Sequence, residues 1–202
     1  DLRTSRGLGD VYKRQAVFCP APDFAKNAIK ISANSMLSKK LCGISRPHFF
    51  DGVITILNHF FQLVRPNNVF FGLKDYQQYL IVKDFLVNSN LNIDIYGVQT
   101  QREEDGLAMS SRNNLMSSQQ RANAKHLPII LKEIAQRSKH ENLANLKIEG
   151  IKRLEELNFN VDYFLFCNST TLEELFEFEP NTLVAVAAKL GNIRLIDNFI
   201  IQ

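Results

Sequence analysis

FFGLKDYQQ, residues 70–78, is the stretch that decides the fold predicted from this sequence. The apolar run that ends at Gly72 predicts a buried strand, and the polar turn after it begins a helix predicted over residues 74–88. An apolar stripe of helical period over residues 49–64 precedes the stretch, and a second strand is predicted over residues 93–98. Helices and strands that alternate with short turns predict an α/β fold with a parallel sheet of the doubly wound type.

A change in character after about residue 100 predicts a second, smaller domain. Residues 101–114 are a polar loop, and Ser117 and Gln120 have the spacing of a capping box that begins a helix. The apolar patterns beyond it predict one more helix and three strands, at residues 142–157, 161–167, 183–188 and 193–196. We therefore expect one domain over residues 16–100 and an α+β domain over residues 101–202.

The first fifteen residues differ from the rest of the chain. They contain no initiator Met, few apolar residues and no periodic pattern. We expect residues 1–15 to be a non-native leader, resembling translated adapter sequence, that packs against nothing; the alternative is a basic, disordered arm. The natural protein is then expected to begin upstream and to be truncated here. A short buried strand over residues 16–19 and a short helix over residues 34–41 are expected next.

Composition narrows the class of protein. With 45% hydrophobic and 22% charged residues, the 202-residue chain is typical of globular proteins, and no apolar run approaches the length of a membrane span. A net charge of +3 is too small to indicate a nucleic-acid partner. The chain has three cysteines, Cys19, Cys42 and Cys167. Their odd number and wide spacing favour reduced thiols in a cytoplasmic protein. The histidines and cysteines show no metal-ligand spacing, so no protein-held metal is expected.

The first candidate site lies where the strand meets the helix. Lys74 and Gln78 are spaced i,i+4, and Asp75 and Gln78 i,i+3, so the three share one side of the predicted helix. Gly72 lies at the carboxyl end of its strand, where open α/β sheets bind ligands. An anion at this helix start would offset the poor placement of a lysine there. The alternative is a solvated helix start after an ordinary glycine turn.

The second candidate site is the loop Met109-Ser110-Ser111-Arg112. Its hydroxyls and backbone N–H groups can surround phosphate oxygens, and Arg112 adds a cation that binds them through two nitrogens. The alternative is a polar surface loop closed by a capping serine. Arg46, in a segment of small and polar residues, could bind a carboxylate or be an exposed loop arginine.

Several long motifs in the same order resemble the pantothenate synthetase (pantoate–β-alanine ligase) family. Beside residues 70–78, they are SRPHFFDGV at 45–53, REEDGLAMSSRN at 102–113, and VAAKLG with RLIDN at 186–191 and 194–198. The resemblance covers residues 16–198 and implies a Rossmann-like domain of the nucleotidyltransferase superfamily over residues 16–100. A cytoplasmic homodimer is implied in the same way.

The resemblance also implies a reaction. ATP, with Mg²⁺ on its phosphates, and pantoate form pantoyl-adenylate and pyrophosphate, and β-alanine then gives pantothenate and AMP. Gly72, Lys74 and Asp75 are implied in the ATP site, with Lys74 on the phosphates. Met109, Ser110, Ser111 and Arg112 are implied to form a mobile phosphate loop, with Lys74, Ser110, Ser111 and Arg112 as catalytic residues. Gln78 is implied to bind pantoate, and Arg46 to lie near the carboxylates.

Departures from the family pattern leave alternatives open. Leu73 stands where the family has glutamate, and Phe49 where it has histidine, so no role passes to His48. The family's amino-terminal segment, with its paired-histidine motif, is not in this sequence, so we expect the chain alone to be inactive. The alternatives are another nucleotidyltransferase of the same fold and a non-catalytic nucleotide-binding module.

Overall fold

A computed structural model describes residues 17–21, 23–24, 26, 28–33 and 36–201. The predicted leader at residues 1–15 lies outside the described residues, so that expectation stays a prediction.

The first part of the chain forms a two-stranded parallel sheet with helices packed on it. Its elements are the 3₁₀ turn Met36–Lys39, α1 (Cys42–Ser45), α2 (Phe49–Val64), β1 (Asn68–Gly72), the 3₁₀ turn Leu73–Asp75, α3 (Tyr76–Asn88) and β2 (Asp94–Val98). β1 and β2 run parallel, with Asn68 opposite Asp94 and Gly72 opposite Val98. Since α3 connects the two strands and packs on β1, the prediction of an α/β fold with a parallel sheet is confirmed.

Two short elements before α2 differ from their predictions. Residues 17–19 form no strand; Phe18 instead packs edge-on against the rings of Phe24 and Phe60. The short helix predicted over residues 34–41 is replaced by two separate turns, Met36–Lys39 and Cys42–Ser45. They are separated because Leu41 has a positive φ of 42°, which a continuous right-handed helix cannot contain.

The second part of the chain packs helices on an antiparallel sheet. Its elements are a 3₁₀ turn at Ser111–Leu115, α4 (Ser118–Ala124), α5 (His126–Arg137), α6 (Leu143–Glu155), β3 (Phe159–Asn168), β4 (Thr182–Leu190) and β5 (Ile193–Ile201). The strands lie in the order β3-β4-β5, with α6 packed on β3 and α5 on β5. Ser117 and Gln120 form the predicted capping box, and the Asn142 side chain caps α6. The prediction of an α+β arrangement here is confirmed.

The central strand β4 is buried along nearly its whole length. The turn from β4 to β5 is made by Gly191 and Asn192, and Gly191 has a φ of +58° that glycine adopts at little cost. This tight turn sets the register in which Val186 lies opposite Asp197 and Ala185 opposite Asn198. β5 is thereby placed with Asn198 toward the first part of the chain, where its side chain hydrogen-bonds to the 3₁₀ turn at Leu73–Asp75.

Three apolar clusters form the core of the described residues. One lies between β1, β2, α2 and α3, and one lies between α5, α6 and the antiparallel sheet. The third joins the two parts of the chain, and its buried members are Leu41, Leu80, Cys167, Leu172, Leu183 and Ala185. The boundary predicted near residue 100 stays a prediction. No helix among the described residues is both long enough and apolar enough to cross a membrane.

Candidate active site

The turn after β1 leaves room for a ligand. Gly72 caps the 3₁₀ turn at Leu73–Asp75 with a φ of −68°, a conformation open to any residue. No atom lies within 4 Å of the position that a Cβ would take at Gly72. Glycine is therefore not needed here for its backbone conformation, and its effect is to leave the strand end open to close approach.

Lys74 lies in this turn, just before α3 begins at Tyr76. Its side chain is partly buried, and Nζ donates a hydrogen bond to the Met109 carbonyl oxygen at 3.0 Å. Burial lowers the pKa of Lys74 from its ordinary value. The charged neighbours that act on it are the carboxylates of Asp75 and Asp197, which raise the pKa, and the guanidinium groups of Arg112 and Arg102, which lower it.

The Ser110–Arg112 loop is held by hydrogen bonds of its own. The Ser110 Oγ accepts from the Arg112 backbone N–H at 3.3 Å and caps the short 3₁₀ turn that follows. Asn113 is buried, and its Nδ2 donates to Glu103 Oε1 at 2.5 Å and to the Ala108 carbonyl at 3.2 Å. The capping serine of the alternative interpretation is thus present, and it leaves Ser111 and Arg112 exposed to solvent.

A cleft of about 240 Å³ lies between the two parts of the chain. Its walls include five of the predicted site residues, Arg46, Lys74, Asp75, Gln78 and Arg112. Four others, Gly72, Met109, Ser110 and Ser111, do not line it. Gly72 has no side chain to reach the cleft, and the Ser110 hydroxyl faces its own turn. The lining residues come from both parts of the chain, since α1, α2, α3, the antiparallel sheet and the 3₁₀ turns at Leu73–Asp75 and Ser111–Leu115 all contribute to it.

The side chains of Arg46 and His48 lie in different surroundings, although the two residues are only two positions apart in the sequence. The Arg46 guanidinium lies 3.6 Å from the centre of the Phe49 ring, and both residues line the cleft. His48 is exposed, and its Nδ1 lies 2.9 Å from an Asp51 carboxylate oxygen, outside the cleft lining. A cleft role is thus open to Arg46 and not to His48.

Two groups of residues at the cleft were not found from the sequence. Gln77 is buried, and its Nε2 donates to the carbonyls of Leu37 and Lys40, while its Oε1 accepts from the Cys42 N–H. Gln77 therefore fixes the segment before α2 against α3, next to Gln78 on the cleft wall. The second group is Asp197 and Asn198; the RLIDN motif that contains them is a signal in the sequence, but the motif alone assigns them no role.

The cleft is also lined by Cys42, Tyr163 and Arg194. Arg194 Nε donates to Asp162 Oδ2 at 2.6 Å, and both terminal nitrogens of Arg194 lie 3.6 Å from the Cys42 sulfur. The Tyr163 hydroxyl lies 3.2 Å from the same sulfur, and burial raises the pKa of Tyr163 well above its ordinary value. With Arg46, Lys74 and Arg112, Arg194 makes the cleft rich in cations, a feature that suits anionic ligands. Within the described residues, no group of three or more His, Cys, Asp or Glu side chains could hold a metal ion.

Comparison with known proteins places this chain in a family. The family described as Pantoate-beta-alanine ligase matches residues 6–200. The chain belongs to this family. The pantothenate synthetase of Vesicomyosocius okutanii is 39% identical over 169 residues, which are 82% of this chain and 58% of that protein. The pantothenate synthetase of Acetivibrio thermocellus is 37% identical over 210 residues, covering the whole of this chain and 74% of the relative.

Solved structures agree with the family and with the nucleotidyltransferase fold. Pantothenate synthetase from Thermus thermophilus superposes with a TM-score of 0.93 at 30% identity, over all of this chain and 75% of that one. Pantoate-beta-alanine ligase from Francisella tularensis, solved with beta-gamma ATP and beta-alanine, superposes with a TM-score of 0.79 at 26% identity, over 99% of this chain and 70% of that one. The chain thus spans between 58% and 75% of the length of these relatives.

Proposed function

We propose that this pantoate–β-alanine ligase family chain belongs to an enzyme that condenses pantoate and β-alanine to pantothenate with ATP. The observation that carries the proposal is the meeting of Lys74, Gln78, Arg46 and Arg112, from separate segments, in one cleft. A cleft with this many cations fits a reaction whose substrates are a triphosphate and two carboxylates.

Lys74 and Arg112 are the proposed ligands of the ATP phosphates. Lys74 Nζ donates to the Met109 carbonyl, next to the Ser110–Arg112 loop, so a phosphate bound by Lys74 would lie beside that loop. The open space at Gly72 would let the nucleotide approach the strand end closely. These two cations would stabilise the charge that develops as pyrophosphate leaves, as preorganised donors do in phosphoryl and nucleotidyl transfer.

The first half-reaction is proposed to form pantoyl-adenylate. A pantoate carboxylate oxygen attacks the α-phosphorus of ATP, and the bond from that phosphorus to the pyrophosphate oxygen breaks. Gln78, on the cleft wall one turn after Lys74, is the proposed hydrogen-bond partner of pantoate. In the second half-reaction the β-alanine amine attacks the acyl carbon, and AMP leaves with the electron pair of the broken bond. Arg46 is the proposed partner of a carboxylate on these substrates.

Mg²⁺ is proposed to enter on the phosphates of ATP as part of the substrate. The described residues offer no group of ligating side chains that would hold the ion by themselves. A cytoplasmic location is proposed because Cys19, Cys42 and Cys167 are all free thiols, which suits a reducing compartment. A homodimer stays a proposal that rests on the family resemblance.

Pantoate-dependent release of pyrophosphate tests the proposed reaction. It is measured on this chain and on a chimera that adds the amino-terminal segment of the Thermus thermophilus relative. We expect the chimera to release pyrophosphate with ATP and pantoate alone, and to form pantothenate once β-alanine is added. We expect this chain by itself to bind ATP without turnover.

Two results would contradict the proposal, provided that a thermal melt shows the chimera to be folded. Pyrophosphate release that needs a different acid would indicate another nucleotidyltransferase. ATP binding by the folded chimera without any pantoate-dependent turnover would indicate a non-catalytic nucleotide-binding module.

A further inference from the structure

The two halves of the proposed nucleotide site are both fastened to one short segment of β5. On one side, the Asn198 side chain reaches the turn that contains Lys74. Its Nδ2 donates to the Leu73 carbonyl at 3.0 Å and to the Lys74 carbonyl at 2.9 Å. One amide group thus fixes two successive peptide units of the turn, and with them the direction in which the Lys74 side chain leaves the backbone.

On the other side, Asp197 holds Arg102. Asp197 is only 2% exposed, and its two carboxylate oxygens accept from the two terminal nitrogens of Arg102 at 2.7 and 2.9 Å. One of these oxygens also accepts from the Asn198 backbone N–H at 2.8 Å. A carboxylate with three donors in a buried place fixes the arginine in position and angle.

Arg102 in turn fixes the loop that leads to Arg112. Its Nη1 donates to the Gly106 carbonyl at 2.9 Å, and its backbone pairs with Ala108 across a narrow bend. Beyond the bend, the Asn113 side chain ties the end of the Ser110–Arg112 loop back to Ala108. A continuous series of hydrogen bonds therefore runs from Asp197 to the loop.

We propose that Asp197 and Asn198 are a positioning pair, which holds the Lys74 turn and the Ser110–Arg112 loop in register around the phosphates of the nucleotide. The proposal deepens the proposed function and rests on it for the identity of the ligand. Stability alone explains the buried ion pair of Asp197 and Arg102 less well. Burying a carboxylate and a guanidinium costs desolvation free energy that apolar side chains would not incur. Because Asp197 and Asn198 are neighbours on one strand, they keep the two segments that they hold at a fixed separation.

Asn198→Ala, compared with Asn123→Ala, separates positioning from stability. Asn123 is the matched control, because its partly buried side chain also donates from Nδ2 to a backbone carbonyl, that of Leu157, at 2.9 Å, and it does not line the cleft. We expect both variants to melt at similarly reduced temperatures. Only Asn198→Ala should weaken the binding of ATP, by roughly fivefold to tenfold, as the loss of a hydrogen bond that orients Lys74 implies. Equal ATP affinities in the two variants would overturn the role of Asn198.

The role of Asp197 is tested by the titration of the Lys74 ammonium group, followed by NMR in the ligand-free chain. The charged groups that face Lys74 are Asp75, Asp197, Arg102 and Arg112. Asp197→Asn removes a negative charge, so the pKa of Lys74 should fall further, whereas Arg102→Gln should raise it. In the double variant the pKa of Lys74 should lie near the wild-type value, because one charge of each sign has been removed. The two amide side chains can form a neutral hydrogen-bonded pair, so the test does not depend on a single variant that fails to fold.

The possible outcomes of this titration bear on different proposals. Variants that change the melting temperature and leave the Lys74 titration unmoved would make Asp197 a structural residue only and overturn the pair. If the variants shift the Lys74 pKa in the predicted directions but the wild-type chain binds no ATP, the placement of Asp197 and Arg102 near Lys74 is supported and the proposed function is contradicted instead. Shifts together with weakened ATP binding in Asp197→Asn, restored in the double variant, are the expected result.

Discussion

Burial disfavours the charged form of Lys74, whereas the proposed function requires that charge. Partial burial disfavours the charged ammonium group and lowers its pKa, and the Met109 carbonyl oxygen accepts a hydrogen bond from it at 3.0 Å. A cation kept in such a place costs stability in the free protein. Phosphate oxygens would supply additional negative charge, so the cost is consistent with a site built for an anionic ligand.

We therefore expect Lys74→Met to weaken ATP binding without lowering stability. The folded-state pKa of Lys74 lies below its unfolded value, so between the two values the unfolded chain binds more protons and stability rises with pH. Below the folded-state pKa the penalty is fully present, and removing the charge there should hold or raise the melting temperature. ATP affinity should fall by on the order of tenfold to a hundredfold, the loss of a charge-assisted hydrogen bond.

Calorimetric titration with ATP and thermal melts from pH 7 to pH 11 measure both effects. Lys83→Met is the matched control, because Lys83 is exposed on α3 and should change neither quantity. A marked drop in the melting temperature of Lys74→Met, with ATP affinity retained, would make the lysine a structural residue.

Individual residues were predictable from the sequence only where a motif gave them a role. Lys74 and Gln78 were predicted to share one side of a helix, and both line the cleft, although Lys74 lies in the 3₁₀ turn before α3 and not in the helix itself. The adjacent Gln77 also borders the cleft, but its buried amide group holds the segment before α2, and no local pattern distinguishes it from Gln78. Asp197 has its role only through Arg102, 95 positions earlier, a contact that a single sequence does not reveal.

At the scale of elements, prediction succeeded where one period extended over many residues. The apolar stripe predicted α2 to the residue, because 16 residues of one period outweigh local exceptions such as Gly52. It failed for the short helix predicted over residues 34–41, where the positive φ of Leu41 interrupts the helical pattern. There the hydrogen bonds of Gln77 to Leu37 and Lys40 hold the segment, which is a tertiary cause rather than a local one.

Two glycines in helices give opposite predictions. At Gly52 in α2 a Cβ would meet no atom within 4 Å, so Gly52→Ala should stabilise the protein by about 0.5–1 kcal/mol through helix propensity. At Gly150 in α6 a Cβ would lie 2.7 Å from the Phe164 ring and 2.8 Å from Ile134 Cδ1. Gly150→Ala should cost about 1–3 kcal/mol, because the core between α6 and β3 cannot take the added methyl group without strain.

Chemical denaturation of the two glycine variants measures these differences. Their ATP affinity should stay at the wild-type value, since neither residue lines the cleft. A stabilising Gly150→Ala would mean that α6 and β3 separate more easily than their contact suggests.

The whole molecule is joined by contacts that cross the predicted boundary near residue 100. The third apolar cluster brings Leu41 and Leu80 against Leu172 and Leu183, and Lys74 reaches the Met109 carbonyl across the cleft. The order of long motifs predicted the family and the two kinds of sheet. It could not predict how the two parts meet, because the joining residues are far apart in sequence and several of them, such as Leu41 and Leu80, are ordinary core leucines that belong to no motif.

A nucleotide bound between the two parts should stabilise both at once. If ATP contacts Lys74 on one side and Arg112 on the other, the two parts of the chain cannot separate without losing the free energy of ATP binding. At an ATP concentration about 100 times the dissociation constant, global stability should rise by about 2.7 kcal/mol.

Hydrogen exchange should slow at the backbone amides of residues 73–76 and also at those of residues 110–113. Adenosine, which lacks the phosphates, is the matched control and should protect neither segment to the same degree. Protection by ATP confined to one segment would mean that the nucleotide binds to one part alone, and the cleft between the parts would then not be its site.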